Sequence, residues 1–261
     1  MLKLEACIIN NMLLDLPRPV IFAHRGASAH APENTLASFE LALAEGADAL
    51  ELDAKLSADG HVVVFHDSAL DRTTDGTGRL GRKKLADLRA LDAGSSFSEE
   101  YRGEKIPLLE EVFDAFGKKT FINVELKNYA TPRDALAERV CELVKKCGLE
   151  QRVLLSSFLS SSLTRARQLL PEVPRGLLAA QHWMGAWSRS FGFAFGDYVA
   201  LQPSVTDVDA RQVQRVHRLK RRIHVWTVNR ADEMKRLKAW GVDGIFTNDP
   251  ALAAQIFGRR V

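Results

Sequence analysis

Cysteine and long apolar runs are scarce in this sequence, and both absences limit where the protein can work. The three cysteines, Cys7, Cys141 and Cys147, form no CxxC pair and no even-numbered disulfide framework, which is typical of a reducing compartment. No apolar run approaches the roughly 20 residues of a membrane-spanning helix, and Glu5 and Asp15 interrupt the apolar residues where a signal peptide would lie. We therefore predict a cytoplasmic protein with no stable membrane insertion.

A strong excess of one charge is also missing. The 261 residues include 36 basic and 33 acidic side chains, and a formal net charge of +3 is too small to indicate a nucleic-acid partner. Hydrophobic residues make up 46% of the chain and charged residues 26%, as in ordinary folded domains. The composition therefore predicts a folded globular protein that does not bind nucleic acid.

Short apolar segments alternate with longer segments of helical period along the whole chain, which is typical of parallel strands joined by helices. The link between Asp53 and Val62 breaks this pattern, because it is too short for a helix and contains Asp59-Gly60, a hairpin turn signal. The predicted strands are residues 20–24, 49–53, 62–66, 121–127, 153–158, 175–179, 198–202, 224–229 and 244–248.

Eight of these strands are expected to be parallel, and the strand at 62–66 to pair back on the one before it. Eight strand-helix units in about 250 residues match a TIM barrel better than an open doubly wound sheet. We therefore predict an α/β fold, a TIM (β/α)8 barrel in a single domain of residues 1–261, with a small insertion at about 54–107.

Carboxylates collect where predicted strands end. Glu51 and Asp53 lie two apart and so on one face of a strand, and Glu125 ends another. Two such carboxylates, roughly 6 to 7 Å apart, repel by about 2 to 3 kcal/mol at an effective dielectric near 20. A divalent cation would offset this cost, and oxygen ligands favour Mg²⁺ or Ca²⁺. The alternative is a salt-bridge network in which Arg25 and Lys127 neutralise the acids.

Two histidines and two cations also lie at strand ends. His24 and His66 can act as a base and an acid near neutral pH. Arg25 and Lys127 offer fixed positive charge for an anionic group such as a phosphate. Trp226 is interpreted either as barrel core or as a wall for the apolar part of a substrate. The two histidines and the two cations are therefore predicted to share one end of the barrel, its catalytic face.

Aromatic residues crowd into one segment, residues 181–196, which reads QHWMGAWSRSFGFAFG. It follows a predicted strand, and we predict a helix that covers the outside of the barrel there. The alternative is a lip that lines the substrate site.

Several motifs together are similar to those of one enzyme family. The stretch HRGASAHAPENT at 24–35, the stretch ELDAKLSADGHVVVFHD at 51–67, and the motifs NVELK, VWTVN and GVDGIFTNDP resemble the glycerophosphodiester phosphodiesterase family, in its bacterial cytosolic type. The resemblance spans nearly the whole chain. It implies a TIM barrel of the phospholipase C-like phosphodiesterase type with a small insertion.

The resemblance also implies roles for the candidate site residues. Glu51, Asp53 and Glu125 match ligands of one divalent cation, Mg²⁺ or Ca²⁺. His24 and His66 match the acid-base pair, and Arg25 and Lys127 match phosphate-contacting positions. Gln202 stands where the family often has a different polar residue, so the resemblance does not predict which alcohol group the pocket accepts.

The implied activity is metal-dependent hydrolysis of glycerophosphodiesters to sn-glycerol 3-phosphate and an alcohol. The expected route passes through a cyclic phosphate, with His24 as base and His66 as acid. The alternative is a lysophospholipase D-like phosphodiesterase that acts on acylated substrates and uses the aromatic segment for the acyl chain.

Overall fold

The β-strands of the computed structural model, which describes residues 12–259, form one closed sheet. Eight strands are parallel, and the sheet closes because β1 pairs with both β2 and β9, which confirms the predicted barrel. The strands are β1 Val20–His24, β2 Ala49–Leu56, β3 Val62–Val64, β4 Phe121–Leu126, β5 Val153–Ser157, β6 Arg175–Ala179, β7 Ala200–Pro203, β8 Arg222–Val225 and β9 Gly244–Thr247.

Helices connect the parallel strands and pack around the barrel. Thr35 caps the first of them by accepting a hydrogen bond from the backbone N–H of Ser38 at 3.2 Å. No helix among the described residues is both long and apolar enough to cross a membrane. The helices are α1 Leu36–Ala44, α2 Leu85–Ala90, α3 Leu109–Phe116, α4 Leu136–Cys147, α5 Ser160–Leu169, α6 Phe193–Phe195, α7 Ala210–Arg218, α8 Ala231–Trp240 and α9 Pro250–Phe257.

The β2–β3 connection is the predicted hairpin. Ala54 lies opposite Val64 in an antiparallel pair, and Gly60 takes a positive φ of 82° in the turn. The segment from β3 to α3 carries α2 and packs around a small apolar cluster of its own that includes Leu70, Leu80 and Leu88. The assignment of residues 1–261 to one domain with an insertion at 54–107 stays a prediction.

The aromatic segment does not form the single helix that its sequence predicts. It consists of a 3-10 turn at His182–Gly185, a π-helical turn at Ser188–Gly192 and the one-turn α6. Glycines interrupt the segment, and glycine disfavours a continuous helix. Phe193 is buried, whereas Trp183, Met184, Trp187, Phe191 and Phe195 are exposed. The segment thus packs on the barrel through one aromatic side chain.

His224 on β8 lies inside the barrel without a polar partner. Its ring centroid is 5.0 Å from that of Phe22, and neither ring nitrogen has a hydrogen-bond partner among residues 12–259. Burial lowers the pKa of His224 to about 3. The neighbouring rings of Phe22 and Phe246 offer His224 no hydrogen-bond acceptor.

We expect His224→Leu to make the free energy of unfolding less sensitive to acid. Because the folded pKa lies below the unfolded value, the stability that depends on neutral His224 is present above about pH 6.5 and is lost as the pH falls towards 3, at about 1.4 kcal/mol per pH unit. At pH 7 the free energy of unfolding of the variant should equal or exceed that of wild type. At pH 5 the difference in favour of the variant should be about 2 kcal/mol larger than at pH 7.

Urea unfolding at pH 7 and pH 5 measures this difference. His61→Leu serves as the control, because His61 is an exposed residue of the β2–β3 turn and its replacement should lose as much stability between pH 7 and pH 5 as wild type. Equal losses of stability in wild type and His224→Leu between the two pH values would contradict the prediction.

Candidate active site

The register of three neighbouring strands gathers the predicted acidic residues. His24 on β1 lies beside Glu51 on β2, and Asp53 on β2 lies beside Glu125 on β4. One carboxylate oxygen from each of the three acids lies within 4.8 Å of the other two. All three side chains are buried. The barrel thus brings together residues that lie up to 74 positions apart in the sequence.

The carboxylates are partly neutralised by the two predicted cations. Arg25 Nε lies 3.3 Å from Asp53 Oδ2, and Lys127 Nζ lies 3.6 Å from Asp53 Oδ1 and 3.3 Å from Glu125 Oε1. Asn34 Nδ2 donates to Asp53 Oδ2 at 2.9 Å. The predicted salt-bridge network therefore exists, but its two cations face three carboxylates.

The charges of these groups show where negative charge is in excess. Burial and the charges of Asp53 and Glu125 raise the pKa of Glu51 well above its usual range. Burial alone would raise the pKa of Asp53 too, but the charges of Lys127 and Arg25 hold it well below its usual range. A cation beside Glu51 would therefore relieve an uncompensated charge, and three carboxylates form the all-oxygen donor set that hard divalent cations prefer. These residues fit such a cation.

The turn after β1 explains why arginine and glycine follow His24. Arg25 has a positive φ of 59°, and its backbone N–H donates to Glu51 Oε2 at 3.0 Å. Gly26 also has a positive φ, 83°, and a Cβ there would lie 2.3 Å from Ser38 Oγ. Only glycine fits this position, and the strained turn aims both the backbone and the side chain of Arg25 at the carboxylates.

His24 is oriented by a residue that the sequence interpretation missed. Its Nδ1 lies 2.7 Å from Asn248 Oδ1, so an Nδ1–H can donate to that oxygen and leave Nε2 unprotonated. Burial and the charge of Arg25 lower the pKa of His24 to about 4, which favours the neutral ring. Asn248 directly follows β9, so the strand-end rule that identified the other residues also applies to it.

His66 is held by an ion-pair network. Its Nδ1 lies 2.6 Å from Asp67 Oδ1, and Arg72 joins the other oxygen of Asp67 to Glu33, with hydrogen bonds of 2.6 and 2.7 Å. Glu33 in turn accepts from Arg25 at 3.0 Å. Burial would raise the pKa of Asp67, but the hydrogen bonds from Arg72 and His66 hold it at about 2. The sequence interpretation missed Asp67, although it directly follows His66.

The strand ends surround a cavity of about 200 Å³. Of the predicted site residues, seven line it: His24, Arg25, Glu51, His66, Glu125, Lys127 and Trp226. Asp53 is only 1% exposed and lies behind the wall. No residue of the aromatic segment, 183–195, lines this cavity. The catalytic and binding roles of the predicted residues stay predictions.

Trp226 forms part of the cavity wall. Its Nε1 donates to the carbonyl oxygen of Gln202 at 2.7 Å, and its ring meets Phe158 edge-on at 5.7 Å. Tyr129 packs on the other side of Phe158 and donates to Glu125 Oε1 at 2.5 Å. Burial and the charge of Glu125 raise the pKa of Tyr129 far above its usual range, so it stays a neutral donor. Of the two interpretations of Trp226, its position favours the wall.

Known proteins resemble this chain along most of its length. The model of the Glycerophosphoryl diester phosphodiesterase family matches residues 24–252. A glycerophosphodiester phosphodiesterase of Caldanaerobacter subterraneus subsp. tengcongensis is 36% identical over 89% of this chain and 95% of its own length. One of Bacillus subtilis is 36% identical over 92% of this chain and 87% of its own length. An Oleispira antarctica phosphodiesterase, solved in complex with the product sn-glycerol-3-phosphate, superposes with a TM-score of 0.85 at 33% identity, over 95% of this chain and 99% of the other.

Proposed function

Because this chain belongs to the glycerophosphoryl diester phosphodiesterase family, we propose that its carboxylate cluster and its two histidines form the catalytic centre of a metal-dependent diester hydrolase. The enzyme hydrolyses glycerophosphodiesters to glycerol 3-phosphate and an alcohol. The observation that supports the site assignment most is the meeting of Glu51, Glu125, His24 and His66 around one cavity.

The proposed ligands of a single divalent cation, Mg²⁺ or Ca²⁺, are Glu51, Asp53 and Glu125. When bound, such a cation supplies a Lewis acid that polarises the phosphate and lowers the pKa of a neighbouring hydroxyl. Arg25 and Lys127 lie beside the same carboxylates, and in the proposal they bind the phosphate oxygens and stabilise the negative charge that grows on them.

His24 is the proposed base. Asn248 holds its Nδ1 side at 2.7 Å, which leaves the lone pair of Nε2 for the substrate. In the first step Nε2 takes the proton from the glycerol 2-hydroxyl, and the oxygen forms a bond to phosphorus. Formation of this bond gives a cyclic phosphate.

His66 is the proposed acid. The carboxylate of Asp67, 2.6 Å from its Nδ1, stabilises an imidazolium that carries a second proton on Nε2. As the bond between phosphorus and the alcohol oxygen breaks, Nε2 gives its proton to that oxygen. Water then opens the cyclic phosphate with the two histidines in reversed roles, which yields glycerol 3-phosphate and restores both protonation states.

Product analysis tests this proposal. The purified enzyme with Mg²⁺ or Ca²⁺ should convert glycerophosphocholine to glycerol 3-phosphate and choline, and should release no inorganic phosphate. The physical reason is that the scheme breaks only the bond to the leaving alcohol and leaves a phosphomonoester untouched. Release of inorganic phosphate, or of phosphocholine with glycerol, would contradict it.

The acylated-substrate alternative makes a different prediction for the same assay. The cavity is small, and among residues 12–259 no residue of the aromatic segment lines it, so that segment is not placed to hold an acyl chain beside the carboxylates. Lysophosphatidylcholine should therefore be a much poorer substrate than glycerophosphocholine. Equal or better turnover of the acylated compound would favour the lysophospholipase D-like activity.

The cytoplasm is the proposed location of the enzyme. Cys141 and Cys147 are both free thiols, and burial raises the pKa of Cys141 to about 12. Thiols kept protonated in this way are inert packing groups and fit a reducing compartment. The prediction about Cys7 lies outside the described residues.

A further inference from the structure

One buried acceptor beside the cavity has no partner in the part of the chain that the structure describes. Gln202 on β7 is fully buried and lines the cavity, and its Oε1 accepts no hydrogen bond from residues 12–259. A buried polar atom in this state carries the full cost of its lost hydration. Because Gln202 lines the cavity, this unpaired acceptor points to a contact with the molecule that fills it.

The neighbouring side chains decide which atoms of this amide are free. Gln202 Nε2 donates to Asn123 Oδ1 at 3.0 Å, and Asn123 Nδ2 donates to Ser156 Oγ at 2.9 Å. Gln202 Nε2 therefore has a partner, and Gln202 Oε1 is left as an acceptor without a donor. Ser156 also lines the cavity, and its hydroxyl hydrogen has no acceptor among the described residues. A free acceptor and a free donor thus lie in the same small network.

This network adjoins the carboxylates, because Asn123 lies beside Glu51 in the register of β2 and β4, and Ser156 lies beside Glu125 in that of β4 and β5. Asn123 precedes Glu125 by two residues on β4, so both point into the barrel. A glycerol moiety whose 2-hydroxyl and phosphate occupy the carboxylates and histidines has one group left, its 1-hydroxyl. Leu178 and Phe246 also line the cavity and offer apolar surface for the glycerol carbons.

We infer that Gln202 and Ser156 bind the 1-hydroxyl of the glycerol moiety, with Gln202 Oε1 accepting its hydrogen and Ser156 Oγ–H donating to its oxygen. The inference rests on the proposed function, because that function places the rest of the glycerol. It makes a free 1-hydroxyl a condition of good turnover, since a substrate without it leaves Gln202 unpaired in the complex. A site built around a hydroxyl rejects analogues that lack it by a factor of about 10² or more.

Two glycerol analogues and two variants test this assignment. The quantity is the ratio of kcat/KM for glycerophosphocholine to that for its 1-deoxy analogue. Wild type should show a ratio of about 10² or more. In Gln202→Leu and Gln202→Met, which cannot accept a hydrogen bond, the ratio should fall to within about tenfold, because the acceptor that penalises the 1-deoxy compound is gone. The 1-O-methyl ether, which has no hydrogen to donate, should be as poor a wild-type substrate as the 1-deoxy analogue.

Gln212→Leu is the matched control. Gln212 on α7 is also buried and its Oε1 is also unpartnered among residues 12–259, but it does not line the cavity, so its loss should keep the wild-type ratio. Thermal unfolding of each variant shows that the comparison is between folded enzymes. A wild-type ratio near one, an unchanged ratio in both Gln202 variants, or full activity on the 1-O-methyl ether would overturn the inference. Failure of the wild type to hydrolyse any of the diesters would instead overturn the proposed function.

Discussion

Replacement of His66 by alanine should lower kcat/KM for glycerophosphocholine by about 10²- to 10⁴-fold, the usual contribution of a positioned acid or base. The loss should be much smaller for the glycerophosphodiester of p-nitrophenol, because that leaving group departs without a proton from the enzyme. His24→Ala should lose activity on both substrates to a similar extent, because the 2-hydroxyl must be deprotonated in either case. Steady-state kinetics of the two variants with the two substrates measures the difference.

The same experiment separates the roles of the two histidines. His61→Ala is the control, because His61 is an exposed residue of the hairpin and its loss should change neither rate. A cyclic phosphate that accumulates in either slow variant, detected by ³¹P NMR, would support the two-step route. If His24→Ala, and not His66→Ala, recovers activity with p-nitrophenol, the assignment of base and acid is reversed.

Removal of the divalent cation should abolish turnover, with a loss of about 10³-fold or more, because a Lewis acid contributes several kcal/mol to charge stabilisation. Glu51→Gln should lose activity in the same way. It should also raise the Tm of the metal-free protein by a few degrees, because it removes one of three crowded carboxylates. Activity after chelation and Tm with and without Mg²⁺ or Ca²⁺ are the measurements.

The sign of this stability effect follows from the raised pKa of Glu51. A raised pKa means that the folded protein favours the protonated form, so the metal-free enzyme loses stability as the pH rises above about 4.3, the ordinary value for glutamate, towards the raised value. Wild type should recover stability when the cation is added, whereas Glu51→Gln should not. Glu172→Gln, an exposed change of the same kind, should behave like wild type. A full cation-induced rise in Tm in Glu51→Gln, or turnover after complete chelation, would contradict the prediction.

The strands and their order are largely predictable from sequence. Each strand is a short apolar run with a local pattern, and Asp59-Gly60 marks the hairpin by its own turn chemistry. The aromatic segment at 181–196 shows the limit of this approach. Its side chains suggest a helix, but the glycines at 185, 192 and 196 break it into short turns that the apolar pattern alone does not predict.

Sequence predicts only those residues of the candidate site that lie at the ends of strands. Glu51, Asp53 and Glu125 are identified because acidic residues rarely follow buried strands without a reason, and the barrel brings them together. The residues that orient them lie outside the strand ends and are not identified in this way. Asn34, for example, lies in the loop between β1 and α1, and it donates to Asp53 across the turn.

The sequence by itself determined the barrel, its hairpin, and which acidic and imidazole groups lie at one end, since these depend on local periodicity and on the rule that parallel strands share their carboxyl ends. Only the tertiary structure decided the partners of those groups. His24 meets Asn248 across 224 positions, and Gln202 meets Asn123 across 79, because closure of the barrel brings β1 against β9 and turns the inward side chains of β4 and β7 towards each other. Such contacts depend on the three-dimensional path of the whole chain, and no local pattern contains them.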